Sequence, residues 1–196
     1  MGLFSRRRTA LPADLERRAR AAGAMFDAGQ FAAAELSLSS FFADCETAAG
    51  PEHPGTLAVL DLLGSTQFRR ERLPESARSH REARRRAVSV WGPDHPETLK
   101  YGHNLGCTLS VLRAWDEGLP VLRDVLSRRT RKLGEKHPDT IDTAKTLGAA
   151  LYMTGDKQAA AVTLQAAHTA ALKAFGAGDP LTEEVAHNLA IVLRNQ

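Results

Sequence analysis

Aromatic residues make up only 6% of this 196-residue chain, cysteines number two, and no apolar run reaches the length that a membrane-spanning helix needs. Each scarcity excludes something. Few aromatics beside abundant alanine argue against a sheet sandwich, which fills its core with branched and aromatic side chains, and suit helices packed closely through small residues. Cys45 and Cys107 share neither metal-ligand nor redox spacing, so two reduced thiols and no disulfide are expected. The opening MGLFSRRRTALP has two large apolar residues before its arginines, too few for a secretory signal, and Arg6 stands where a myristoylation pattern requires Ser or Thr. The expectation is a cytoplasmic protein without a membrane segment. Also missing are GxSxG, HExxH, a Walker loop and a glycine-rich dinucleotide turn, so neither catalysis nor a cofactor is expected.

The charge that is present is nearly balanced. Lys and Arg total 26 against 23 Asp and Glu, giving a net charge of +3 and a pI near 9.1, which neither requires nor forbids a nucleic-acid or acidic partner. With 43% hydrophobic and 25% charged residues, the chain can build one sizeable core or one repeat array.

A repeat array is what self-comparison finds. A shift of 42 positions superimposes GPEHPGTL from Gly50, GPDHPETL from Gly92, GEKHPDTI from Gly134 and GAGDPLTE from Gly176 without a gap, and the same step backward reaches Pro12. Each column has a mechanical role. The Gly closes one helix in the left-handed conformation, and the Pro opens the next, where its fixed φ fits and its missing N–H is not needed. Glu97 and Asp139 then sit in a first turn, where a carboxylate favours the helix dipole. A second set of columns holds Leu63-Gly64, Leu105-Gly106, Leu147-Gly148 and Leu189-Ala190, followed twelve residues after the small residue by Ser76, Gly118 and Ala160. Small residues there let two helices approach. Breaks fall at Gly29, at Arg72 to Pro74, at Arg113 to Trp115 and at Gly155-Asp156, and between them the apolar spacing is helical.

A helix with Leu-Gly near its centre, a turn, and a second helix with a small residue at a set offset resembles the tetratricopeptide repeat. The long period and the HPxT opening make it similar to the kinesin-light-chain type of that family. The resemblance runs from about Pro12 to the end and implies an all-α, right-handed α-α superhelix of about four helix pairs plus a terminal helix. Helices are expected at 12–28, 31–48, 54–70, 74–90, 96–112, 116–132, 138–153, 157–174 and 180–194. Residues 1–11 read as a basic tail and 12–196 as the repeat domain. Its units span about 12–49, 50–91, 92–133, 134–175 and the terminal 176–196, the first being a capping repeat. Trp91, Leu133 and Phe175 recur where second helices end and read as core, and Trp115 as a packed turn residue.

The resemblance implies a scaffold or adaptor that holds a protein or peptide segment, since the first helix of each pair lines a concave groove in that family. Offsets from Leu-Gly place Arg20, Asp61, Arg69, Lys100, His103, Asn104, Lys145, Tyr152, His187 and Asn188 on that groove. Asn104 and Asn188 correspond to asparagines that hold a ligand's backbone in family members, and an amide, donor and acceptor at once, suits a peptide bond. Leu62 and Thr146 interrupt that column. Lys100, Lys145, Arg20 and Arg69 would suit an acidic or carboxylate-bearing ligand.

Other readings weigh less. His53, His95 and His137 recur in one column before the helix-opening Pro, one per repeat, which fits structure and no metal site. His80 and His168 fall on second helices, where partial packing explains them. A catalytic acid–base pair would have to come from Asp61 and His103. Eight arginines lie between Gln67 and Arg86, but Glu71, Glu75 and Glu82 interleave them and no aromatic stands by to stack a base, so a solvated convex face explains them better than nucleic acid. Binding of nucleic acid or an acidic partner through that face, or a homodimer through the uncovered Ile191 and Leu193 of residues 180–194, are the alternatives.

Overall fold

The computed structural model describes residues 10–195, and among them there are nine α-helices and no strand. They are α1 (Ala13–Asp27), α2 (Phe31–Ala49), α3 (Pro54–Arg69), α4 (Leu73–Trp91), α5 (Pro96–Val111), α6 (Trp115–Leu133), α7 (Pro138–Met153), α8 (Lys157–Phe175) and α9 (Pro180–Arg194). Every end lies within one residue of the sequence map. The chain divides between Pro93 and Asp94 into two compact units, α1 to α4 and α5 to α9. In each, a helix packs on the next and the first helices of successive pairs also touch, α1 on α3 in one unit, α5 on α7 and α7 on α9 in the other.

The punctuation columns do what their chemistry predicts, and the histidines do more. Gly50, Gly92, Gly134 and Gly176 follow their helices at φ between 83° and 97°, a region costly for any side chain. His53, His95 and His137 are N-caps. Their Nδ1 atoms accept from the N–H of Gly55, Glu97 and Asp139 at 3.0 to 3.2 Å, satisfying a backbone donor that the first turn leaves open. Asp179 does the same for Leu181 and Thr182. The histidine column is therefore capping structure.

The glycines before the breaks are demanded by packing. A Cβ on Gly106 or Gly148 would stand 2.5 Å from Leu122 or Leu164, and one on Gly64 2.8 Å from the His80 ring. In each pair the side chain sixteen positions later lies on the glycine's Cα. Leu38, Phe41, Val59 and Leu63 centre the first unit's core, and Leu122, Ile141, Leu151, Leu164, Val185 and Val192 the second's. Each such side chain contributes about 1.5–3 kcal/mol on burial.

Some expectations need correction. Leu11, assigned to the tail, is 7% exposed and part of the first core, packed where a Cβ on Gly55 would collide with it; residues 1–9 lie outside the described residues. Leu133 and Phe175, the last residues of α6 and α8, are 38% and 42% exposed. Trp115 packs against the second core as expected. His80 is wholly buried rather than partly packed.

Candidate functional site

The second unit carries most of the groove candidates, on α5, α7 and α9. Side chains 39 positions apart face each other across these helices: His103 Nε2 and Asp142 Oδ2 at 3.1 Å, Cys107 Sγ and Thr146 Oγ1 at 3.9 Å, Lys145 Nζ and Glu184 Oε2 at 2.5 Å. Thirty-nine is the repeat less about one helical turn, so neighbouring first helices are staggered by that turn. Lys145 also reaches Asp142 Oδ1 at 2.9 Å. A chain of ion pairs thus joins α5, α7 and α9.

The hydrogen bonds around His103 specify its charge. Thr143 Oγ1, 3.4 Å from Nδ1, donates to the Asp139 carbonyl and receives Arg129 Nη1, so it can only accept from the ring. Nε2 faces a carboxylate and must donate as well. Both ring nitrogens carry protons, and the side chain is an imidazolium. Burial alone would lower its pKa, but the Asp142 hydrogen bond and the nearby Cys107 outweigh it and push the value up to about 9. Burial likewise works against the Asp142 carboxylate, yet His103 and Lys145 hold it well below the usual range. Lys145 is desolvated too, and Glu184 with Asp142 still raises it. Arg129, buried on α6 and pulled down by burial, hydrogen-bonds the Asp139 carbonyl and Thr143 and closes the back of the cluster.

Lys100 pairs with Glu97 at 2.6 Å and lies 5.1 Å above the Tyr101 ring. Asn104 and Asn188 occupy the same position of α5 and α9, both half-buried, and the Asn188 amide has no intramolecular hydrogen bond among the described residues. His187 is exposed and Tyr152 half-buried. Val111 and Met153, at the ends of α5 and α7, are 55% and 56% exposed. Val162 of α8 and Leu193 of α9 are also exposed.

The first unit holds three candidates, and they do not form one cluster. Arg20 lies 3.6 Å from Glu16 on α1. The Arg69 guanidinium stacks 4.6 Å over Phe31, which meets Phe26 edge-on. Asp61 leaves the exposed face: its Oδ1 sits 3.0 Å from His80 Nδ1 between α3 and α4, and the two side chains are 11% and 2% exposed. Asp61 and His103 therefore make no catalytic pair, since each has a different partner. The expectation that Lys100, Lys145, Arg20 and Arg69 await an acidic ligand also changes, because each has an internal carboxylate or a ring beside it.

The arginine-rich α4 face is similarly engaged. Glu82 takes Arg85 and Arg86, which hold its carboxyl down to about 2. Glu35 of α2, buried, takes both Arg70 and Arg72, and Arg86 reaches back to Glu46. The sequence hinted at none of these long-range partners.

Two family descriptions, both of the tetratricopeptide repeat, match the sequence, one over residues 111–173 and the other over residues 56–97. Between them they span more than half of the chain. The chain is a tetratricopeptide-repeat protein. No curated protein matches it. Among solved structures it is similar to a Podosopora anserina putative kinesin light chain with nearly identical tetratricopeptide-like repeats, at 20% identity and a TM-score of 0.83, over 95% of this chain and 88% of that one. The same figures of 20% identity and 95% and 88% coverage hold, with a TM-score of 0.82, for a second form of that protein. BtubC (BKLC) from P. vanneervenii follows at 17% identity and 0.67, over 93% and 84% of the two chains. The tetratricopeptide repeat is a protein-interaction scaffold, and the fold of this one is of the kinesin-light-chain type. No helix among the described residues is long and apolar enough to cross a membrane.

Proposed function

We propose that this tetratricopeptide-repeat protein is a cytoplasmic scaffold or adaptor that holds a peptide segment of another protein on the α5–α7–α9 face of its second unit, without catalysis. The observation that carries this reading is the alignment of Asn104 and Asn188 in one position of α5 and α9, on a half-buried polar face whose charged neighbours are held still by ion pairs. An amide that donates and accepts matches a ligand's peptide group, and ordered charged neighbours lower the entropy lost on binding. Tyr152 of α7 and His187 of α9 would supply contact area.

The test is a pull-down from native extract with the wild-type protein beside Asn104→Ala/Asn188→Ala, the retained proteins identified, and both forms melted. The expected outcome is a protein retained by the wild type and lost by the variant, with nearly equal melting temperatures. Equal retention by both, or a large loss of stability in the variant, removes the groove assignment.

A further inference from the structure

On the α5–α7–α9 face the ion pairs are layered by depth. The His103 and Lys145 side chains are 13% and 19% exposed, while the carboxylates holding them, Asp142 and Glu184, are 38% and 61% exposed. Toward the helix starts Glu97 and Asp139 add carboxylates at 41% and 56%, against one comparably exposed ammonium, Lys100 at 44%. Arg129, the remaining cation, is 5% exposed. Summed charge is therefore close to zero, but in the layer a ligand touches four carboxylates stand against one ammonium. Depth, not net charge, sets what this face attracts.

A second feature is independent of charge. Eleven residues along a helix return to within about 20° of the starting direction and advance about 16 Å. Val111 thus shares the direction of Lys100, and Met153 that of Asp142. Both are more than half exposed. The face is charged toward the helix starts and apolar toward their ends.

We propose that this face takes a peptide segment bearing basic side chains on one side and apolar ones on the other, and rejects an acidic one. The inference rests on the peptide-binding reading and goes beyond it by naming the ligand's chemistry. An arriving Lys or Arg meets the Glu184 oxygen that Lys145 leaves unengaged and the Asp142 carboxylate before the more deeply set His103 and Lys145. An arriving carboxylate meets those oxygens first, and reaches Lys145 only by breaking its bonds to Asp142 and Glu184. Apolar side chains of the same segment cover Val111 and Met153, which water otherwise wets.

The experiment probes an array of random-sequence 12-residue peptides with the wild type, Glu184→Gln, Glu184→Lys and Asn104→Ala/Asn188→Ala, each first checked for unchanged melting. Glu184 is exposed, so its variants are expected to fold. The wild type should retain peptides enriched in Lys or Arg together with apolar residues. Glu184→Gln should weaken these by up to about fivefold, the upper range of one exposed charge contact, and Glu184→Lys should shift retention toward acidic peptides. Retention of acidic peptides by the wild type, or an unchanged preference in Glu184→Lys, overturns the proposal. Peptides without basic bias that are lost in the asparagine variant overturn the ligand chemistry and leave the groove standing; an array with nothing retained overturns both.

Discussion

Arg113 occupies the left-handed region at φ 57°, at the repeat position where Glu71 sits at 61° and where Gly29 and Gly155 sit at 74° and 87°. The turn between paired helices needs that conformation whichever residue supplies it. An L side chain there costs about 1–2 kcal/mol, partly offset by the chain entropy a glycine would lose. Arg113→Gly should therefore stabilise by about 0.5–1 kcal/mol and raise the melting temperature by about 1–4 °C in a thermal scan. His103 makes a second prediction at this scale. Folding raises its pKa from an ordinary 6.5 to about 9, so the stability it adds is complete below pH 6.5 and declines as pH rises through 9. Urea titrations from pH 6 to 10 should show a loss on the order of 2–3 kcal/mol in the wild type, and this pH dependence should be absent in His103→Gln.

Between paired helices the decisive contact is a side chain laid on a glycine. Gly148→Ala would set a Cβ 2.5 Å from Leu164 Cγ, and overpacking of this kind costs about 1–3 kcal/mol, readable as a lower denaturation midpoint at unchanged slope. In the α3–α4 pair the leucine is replaced by His80, and Asp61 answers it. His80→Leu alone would strip a buried carboxylate of that partner and should destabilise by about 2–4 kcal/mol. Asp61→Leu/His80→Leu should recover most of the loss, since Leu122 already packs on Gly106 in this way. Equal losses in the single and double variants would show that the pair is not coupled.

Across the whole molecule, charge is unevenly assigned. Residues 1–93 hold 14 arginines and no lysine against 11 carboxylates, while residues 94–196 hold 12 cations against 12 carboxylates. The net +3 belongs to the first unit. Its arginines in and just before α4 nevertheless bond to Glu35, Glu46, Glu75 and Glu82, so phosphates would compete with carboxylates already seated. Fluorescence anisotropy with single-stranded nucleic acid should find only weak affinity at physiological salt. Tight binding with a steep negative salt slope would instead favour the arginine face as a nucleic-acid surface.

The fold was legible because its determinants are local and repeated. Gly, His and Pro act on the backbone within a residue or two of themselves, and the 42-residue register multiplies each signal, which is why helix ends could be read to within a residue. The positions of Asn104, Lys145 and Asn188 on their helices followed from the same register. Partners could not be read that way. That Asp61 turns inward to His80, that Lys145 lies beneath Glu184 and that Glu35 gathers Arg70 and Arg72 depend on how neighbouring helices are staggered and on burial, which only packing sets. Sequence by itself therefore determined the repeat, its helices and the face that could bind. Tertiary structure alone decided which charges on that face point outward, because exposure belongs to the packed helices together and to no residue singly.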